Sequence, residues 1–207
     1  MNYFSCSLDE DIEMFLRDKA ISFEELSKAR TYLVIDGEQV DNPDVQLKDL
    51  RILGYFALAL KVLSIPDDYS NRKRKELDGL SAKLHGEVIK DIPCYLIGQL
   101  ARNDEVSTKE LTGKQLLEMA FSVIQTSVDA VGGRIVMIEC RDRDNLVAFY
   151  QDNDFVVIAE QSDNGQPMKQ MIRKIQCFFG TAQNGQFFFC DSFYIIVIYN
   201  KNRKCNR

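Results

Sequence analysis

Residues 92–131 read IPCYLIGQLARNDEVSTKELTGKQLLEMAFSVIQTSVDAV, and this stretch decides the fold class. An apolar segment from Cys94 to Leu100 comes first, and a polar loop from Arg102 to Leu111 follows it. The remainder carries apolar residues at a helical period. Thr112 and Gln115 have the spacing of a capping box, which marks a helix start, and Gly132 marks the helix end. The stretch therefore predicts strand, loop and helix in that order.

Further elements can be placed on both sides of this unit. Ser7-x-x-Glu10 and Ser22-x-x-Glu25 are capping-box patterns that predict two short helices, at about 8–19 and 23–30. A short helix over 145–151 is predicted with Asp144 as its cap, and residues 67–86 are polar and helix-prone. Apolar pattern predicts strands over 31–35, 134–140, 155–159 and 168–175. The run 52–65 fits a strand or a helix by pattern alone, and the turn before it and the need for a sheet partner favour a strand. The order predicts a mixed α/β chain built around one sheet.

Composition bounds the class of protein. The chain has 207 residues, 45% of them hydrophobic, which fits one domain or one domain with an appendage. A formal net charge of -5 argues against a surface built wholly for nucleic acid, although a local basic patch is allowed. The cluster Arg72-Lys73-Arg74-Lys75 is interpreted as a solvated helix face.

The N-terminus, the longest apolar run and the cysteines bear on targeting and on metal binding. The acidic N-terminus has no basic segment followed by an apolar run, so no signal peptide is predicted. The apolar run from Phe187 to Tyr199 is too short for a membrane helix and predicts a buried hairpin instead. Six cysteines without a CxxC spacing indicate buried thiols in a reducing cytoplasm, and the single histidine, His85, cannot form a metal cluster. We expect a cytoplasmic protein without a membrane segment or a metal.

Two segments carry a signal for chemistry. Thr112-Gly113-Lys114 opens the long helix, where free N–H groups and the helix dipole favour a phosphate or pyrophosphate. Ala148-Phe149-Tyr150-Gln-Asp-Asn-Asp-Phe155 follows the next strand. In this order and at this distance, the two segments resemble the GNAT superfamily of acyl-CoA-dependent N-acetyltransferases. The resemblance implies a central, mostly antiparallel mixed sheet flanked by helices. It predicts a GNAT domain over 1–176 and an apolar C-terminal extension over 177–207, a hairpin or an interface segment.

A narrower likeness lies within the same superfamily. Ile92-Pro-Cys-Tyr-Leu-Ile-Gly-Gln-Leu-Ala101 resembles the Pro-x-x-x-Leu-Gly-Arg-Leu-Ala strand of the acetyltransferase toxins of bacterial toxin–antitoxin pairs, with Gln99 at the arginine position. The segment Gly132 to Val136 fits the same subgroup. Those toxins acetylate the amino group of aminoacyl-tRNA.

The resemblance implies a role for individual residues. Tyr150 would protonate the leaving thiolate of acetyl-CoA, the expected cosubstrate, and a phenol suits that role at neutral pH. The strand Gln99–Arg102 would pair with the pantetheine arm and donate an N–H to the thioester carbonyl. Backbone from Lys109 to Lys114 would hold the pyrophosphate. The implied cofactor-binding residues are Leu100, Ala101, Arg102, Lys109, Thr112, Gly113, Lys114 and Asn145.

Several questions stay open at the level of sequence. Glu139, Glu87 and a water chain are all candidates for removing a proton from the acceptor amine. The acceptor could be a small amine, a protein or a charged tRNA, and in the last case Arg72–Lys75 and Lys201–Arg207 could form part of a basic surface. A GNAT-fold binding or regulatory module without catalysis is a third hypothesis, because Leu111 and Thr108 depart from the family's pyrophosphate motif. A homodimer is a possible assembly.

Overall fold

A computed structural model describes residues 4–40, 50–175 and 193–197. The helical elements are α1 (Glu10–Met14), a π-helical turn (Phe15–Lys19), α2 (Ala20–Glu25), α3 (Gly37–Val40), α4 (Asn71–Asp78), α5 (Gly113–Val131) and α6 (Asp144–Gln151). The strands are β1 (Arg30–Asp36), β2 (Ile52–Ser64), β3 (Lys83–Leu84), β4 (Glu87–Val88), β5 (Asp91–Arg102), β6 (Ile135–Arg141), β7 (Val156–Asp163), β8 (Gln166–Lys174) and β9 (Phe193–Val197). Among these residues, no helix is long and apolar enough to cross a membrane.

Seven strands form one sheet in the order β7-β8-β6-β5-β2-β1-β9, and β3 and β4 form a separate hairpin. β5 and β6 run parallel, whereas β1 pairs with β2 and β9, and β8 with β6 and β7, all antiparallel. A parallel pair needs a crossover, and α5 supplies it. The predicted α/β class, with a mixed and mostly antiparallel sheet, is confirmed.

The chain divides into two compact units, and β2, β5 and α5 each continue from one into the other. The first unit comprises residues 1–59, 99–123 and 181–207. Its core joins the N-terminal helical segment to the sheet: Phe15, Leu16 and Ala20 pack with Tyr55 and Ala57 of β2. The Tyr55 hydroxyl donates to the Ile12 carbonyl at 2.6 Å, so this buried phenol has the partner that it requires.

The second unit comprises residues 60–98 and 124–180. Its core combines strand residues such as Leu63, Met137 and Ile172 with Leu77 of α4. The predicted domain boundary between residues 176 and 177 lies outside the described residues and stays a prediction.

The helix predictions upstream of the sheet were partly wrong. The helical segment runs without a break from Glu10 to Glu25, so Ser22 lies inside it and cannot be a cap. At its start, Asp9 rather than Ser7 is the N-cap, because the Asp9 carboxylate accepts from the Asp11 N–H at 3.2 Å. The helix ends before residue 30 because Ser27 adopts a positive φ of 55°.

Residues 67–86 form a helix and a hairpin, not one helix. α4 stops at Asp78 because Gly79 takes a left-handed conformation with φ 93° and its N–H donates to the Lys75 carbonyl. His85 and Gly86, both with positive φ, then form the turn of the β3–β4 hairpin. Asp144 was also misassigned, since it is the first residue of α6 and Arg143 occupies the cap position.

The C-terminal apolar run is described only in part. β9 pairs antiparallel with β1, from Tyr32 opposite Val197 to Asp36 opposite Phe193. β9 therefore adds a strand to this edge of the sheet, and the choice between a hairpin and an interface segment for residues 177–207 stays open. The segment Phe187–Cys190, predicted as the other arm of a hairpin, lies outside the described residues.

Candidate functional site

The parallel ladder between β5 and β6 is short. It joins Tyr95, Leu96 and Ile97 to Val136, Met137 and Ile138. β5 continues beyond the ladder to Arg102, and β6 continues to Arg141. The two strands therefore separate after Ile97 and Ile138, and beyond these residues the backbones of β5 and β6 do not pair with each other.

The predicted pantetheine strand ends in a braced loop in the first unit. Leu100 is half-buried and Ala101 is buried. The Arg102 guanidinium donates to the Leu111 carbonyl at 3.1 Å and so ties the two ends of the loop together. The buried Asn103 side chain donates to the Ile52 carbonyl at 3.0 Å and accepts from the Glu105 N–H at 3.2 Å. These hydrogen bonds of Arg102 and Asn103 hold the start of the loop in place.

A second brace holds the middle of the loop. Glu110 accepts from the N–H and the hydroxyl of Ser107, each at 3.0 Å, and from the Arg51 guanidinium at 2.8 Å. These donors, the Ser107 N–H foremost, lower the pKa of the Glu110 carboxyl to about 2. The carboxylate is therefore ionised throughout the physiological range and fixes the turn.

The start of α5 forms the predicted capping box. The Thr112 hydroxyl accepts from the Gln115 N–H at 3.1 Å, and the Gln115 side chain accepts from the Thr112 N–H at 2.9 Å. Leu111, which stands where the family has glycine, is fully buried and lies against Gly54. Its N–H donates to the Ser107 carbonyl at 3.2 Å, so it is not available to a ligand.

Other N–H groups of this loop remain available. Within the described part of the chain, the backbone N–H groups of Thr108, Lys109, Gly113 and Lys114 have no acceptor. Two of them belong to the first turn of α5, where the helix dipole favours negative charge. The side chains of Lys109 and Lys114 are exposed beside them, although Lys114 also lies 4.0 Å from Glu118. This arrangement suits a phosphate or pyrophosphate.

Tyr150 lies in the second unit, at the end of α6. Its carbonyl accepts from the Asn153 and Phe155 N–H groups at 3.1 and 3.0 Å, which turns the chain into β7. The buried ring packs edge-on against Phe149 and Phe155. Asp154, where the family has glycine, adopts a positive φ of 65° in this turn. The Tyr motif predicted from sequence therefore forms a compact aromatic unit.

The environment of the Tyr150 hydroxyl decides what it can do. Burial, and secondarily the nearby Cys140 thiol, raises the pKa of Tyr150 above its ordinary value. Burial also raises the pKa of the Cys140 thiol to about 11. No described residue forms a hydrogen bond with the Tyr150 hydroxyl. The phenol is thus a protonated donor at neutral pH whose proton no described residue accepts.

The predicted site residues divide between the units. Leu100, Ala101, Arg102, Lys109, Thr112, Gly113 and Lys114 are brought together in the first unit, from the end of β5 to the start of α5. Asn145 and Tyr150 lie in the second, both on α6, with Asn145 exposed near its start. Each set is compact within its own unit.

The two side chains among the candidates for the base differ in their surroundings. Both oxygens of Glu139 are engaged, one by the Lys61 ammonium at 2.6 Å and the other by the Gln170 amide at 3.1 Å. Glu87 lies exposed in the β3–β4 hairpin. Only Glu139 is therefore held by neighbouring side chains.

The basic cluster on α4 is not uniformly a solvated face. Arg72, Lys73 and Lys75 are exposed as expected, but Arg74 is only 3% exposed. Its guanidinium donates to four backbone carbonyls, at distances of 2.7 to 3.2 Å. The interpretation of the whole run as solvated is wrong for this residue.

Sequence reasoning also missed two residues that shape the loop. Ser107-x-x-Glu110 is a capping-box spacing, so the Glu110 brace had a signal that was not used. No spacing pointed to Asn103 as a brace, because two of its partners, Ser5 and Ile52, are remote in sequence.

No family model matches the sequence, and no curated protein does. Solved structures do match, and the fold that they share with this chain is that of the GNAT N-acetyltransferases. The fold predicted from the two motifs is therefore confirmed.

Three of these structures illustrate the match. AtaT in complex with acetyl-methionyl-tRNA is 19% identical, with a TM-score of 0.57, covering 80% of this chain and 84% of its own. A tyrosine-to-phenylalanine variant of KacT is 17% identical, with a TM-score of 0.58 and coverages of 82% and 85%. AtaTR bound with acetyl-CoA is 20% identical, with a TM-score of 0.56 and coverages of 81% and 83%.

Proposed function

We propose that this protein is an acetyl-CoA-dependent N-acetyltransferase that acts on a primary amine. The observation that carries the proposal is a set of four backbone N–H groups, in the loop before α5 and in its first turn, to which the described residues offer no acceptor. Hydrogen-bond donors without an acceptor before and at a helix N-terminus, with the exposed Lys109 and Lys114 in the same segment, match the chemistry of a pyrophosphate. AtaTR, which has the same fold, binds acetyl-CoA.

The cofactor residues would act as follows. Thr108, Lys109, Gly113 and Lys114 hold the pyrophosphate through backbone N–H groups, with Thr112 fixing the helix start as its cap. Leu100, Ala101 and Arg102 offer backbone to the pantetheine arm, since β5 is not paired with β6 beyond Ile97. Asn145 is a further contact for the arm. Acetyl-CoA supplies the activated acyl group as a thioester.

Tyr150 is the proposed general acid. Its hydroxyl is protonated at neutral pH, and no described residue accepts its proton, which is the state required to protonate a leaving thiolate. The aromatic packing with Phe149 and Phe155 fixes the ring, so the hydroxyl needs no reorientation.

An aminoacyl-tRNA is the acceptor to test first. AtaT, of the same fold, has been captured with acetyl-methionyl-tRNA, and the exposed Arg72, Lys73 and Lys75 offer cations for a phosphate backbone. A cytoplasmic location is consistent with the buried free thiols of Cys6, Cys94 and Cys140. A homodimer, and an interface role for residues 177–207, stay predictions.

The test combines binding with transfer. Calorimetry with acetyl-CoA and transfer from labelled acetyl-CoA to panels of charged tRNA, peptides, amino acids and polyamines are measured for wild type and Tyr150→Phe. We expect the variant to bind acetyl-CoA within about twofold of wild type and to lose about 10²- to 10⁴-fold in kcat, the usual range for a general acid. Tyr69→Phe, a half-buried tyrosine beside α4, is the matched control.

Three outcomes would contradict parts of the proposal. Wild-type protein that does not bind acetyl-CoA would refute it. Binding without transfer to any acceptor would favour the non-catalytic GNAT-fold module. Undiminished transfer by Tyr150→Phe would remove Tyr150 from its role while the rest stands.

A further inference from the structure

Three polar side chains continue the apolar core of the second unit. Leu63, Met137 and Ile172 are buried members of this core on β2, β6 and β8. Side chains two positions apart in a strand share a face. A polar residue lies two positions from each of these core residues: Lys61 from Leu63, Glu139 from Met137 and Gln170 from Ile172.

These three side chains form a hydrogen-bonded group centred on Glu139. Its Oε2 accepts from the Lys61 ammonium at 2.6 Å, and its Oε1 accepts from the Gln170 amide at 3.1 Å. Gln170 is only 6% exposed, so it fixes the orientation of the carboxylate. The Lys61 and Glu139 side chains are 39% and 26% exposed, so their ion pair reaches solvent. Solvent screens a pair that it reaches, so this pair is weaker than a fully buried one would be.

Glu139 also occupies a defined place in the sheet. It directly follows Ile138, the last residue of β6 in the ladder with β5. The carboxylate therefore lies where the two strands part, with the buried Met137 on the same face. A carboxylate at this place already binds one primary ammonium, that of Lys61.

We propose that Glu139 binds the ammonium group of the acceptor amine, and that Lys61 occupies this position until the acceptor displaces it. Gln170 is a positioning residue that holds the carboxylate. This inference rests on the proposed acetyltransferase function and assigns its acceptor class as a cationic primary amine. A neutral nucleophile such as an alcohol would not compete with Lys61.

Two substitutions distinguish acceptor binding at Glu139 from a purely structural role of the ion pair, because they should change the KM for the amine in opposite directions. Removing the competing cation with Lys61→Met should lower the KM for the amine about two- to fivefold, because the carboxylate becomes available. Removing the carboxylate's charge with Glu139→Gln should raise that KM at least tenfold. If the pair only stabilised the fold, both variants would change KM in the same direction.

The experiment measures acetyl transfer to methionyl-tRNA and to propylamine, a small primary amine, with acetyl-CoA affinity measured for every variant. Glu160→Gln is the control, since Glu160 is an exposed carboxylate on β7 paired with Lys169. We expect Lys61→Met and Glu139→Gln to shift KM in opposite directions, with unchanged acetyl-CoA affinity. Glu160→Gln should match wild type, and the double variant Lys61→Met with Glu139→Gln should match Glu139→Gln alone.

Each contrary result bears on a distinct claim. KM shifts of the same sign in both variants, or no shift, overturn the assignment of Glu139 and leave the acetyltransferase proposal standing. Wild-type protein that binds acetyl-CoA but acetylates neither amine also overturns the inference. Failure to bind acetyl-CoA refutes the proposed function itself, and the inference with it.

Discussion

Arg74 should contribute more to stability than any exposed residue of its cluster. Its guanidinium donates to the carbonyls of Tyr69, Ile89, Pro66 and Asp67, and so joins the segment before α4 to the segment before β5. In Arg74→Met all four bonds are lost without leaving a buried charge. In Arg74→Lys the charge remains, but one ammonium cannot reproduce the planar fork that reaches these carbonyls.

The size of the effect follows from the number of bonds. A hydrogen bond to a charged group contributes about 1.5–3 kcal/mol. Four of them would sum to at least about 6 kcal/mol, but contributions within one network are not additive and carbonyls near the surface regain water. We expect Arg74→Met to lower the free energy of unfolding by about 3–5 kcal/mol, as for other disrupted buried charged groups. Arg74→Lys should lose about half as much.

Urea denaturation followed by circular dichroism measures this difference. With a slope of about 2–3 kcal/mol per molar urea, the midpoint of Arg74→Met should fall by about 1–2 M. Arg72→Met is the matched control, since Arg72 is exposed in the same helix, and it should change stability by less than about 0.5 kcal/mol. Equal midpoints for Arg74→Met and Arg72→Met would refute the assignment of Arg74 as a buried clamp.

Two further perturbations test local geometry. Gly133→Ala should destabilise the fold by about 2–4 kcal/mol, because φ is 130° and a Cβ would stand 2.4 Å from the Tyr95 ring. Gly132→Ala, with φ 83° and open space, should lose only about 1 kcal/mol; equal losses in urea denaturation would contradict this reasoning. The lowered pKa of Glu110 stabilises the fold above the ordinary carboxyl pKa of 4.5, and this contribution is lost as pH falls towards about 2. Glu110→Gln should therefore lose less stability than wild type over that interval, and an unchanged acid profile would count against the Glu110 brace.

The order of elements and the two motif segments could be predicted from sequence because their signals are local. The capping box of Thr112 and Gln115 forms as predicted, since both partners lie within one turn. Ser22-x-x-Glu25 has the same spacing and does not cap, because Ser22 lies inside a helix that packs continuously on β1 and β2 through Phe15, Leu16 and Ala20. Tertiary packing overrode the local signal there.

The residues that escaped prediction depend on distant partners. Arg74 sits in a run that is typical of a solvated face, and its burial depends on the Ile89 and Pro66 carbonyls. The Glu139 group joins three strands that are far apart in sequence, and only the sheet order brings Lys61 and Gln170 to one carboxylate. No local pattern could reveal these contacts.

The pairing of β1 with β9 has a consequence for the order in which the molecule is assembled. Tyr32 lies opposite Val197, so this ladder joins segments separated by most of the described sequence. During synthesis, β1 can pair with β2 early. The other edge of β1 stays unpaired until β9 has been synthesised. Contacts of such long sequence separation form slowly, and an unpaired strand edge favours association with other chains. Completion of this edge is therefore a late event in folding, and until then the chain exposes backbone that the finished sheet conceals.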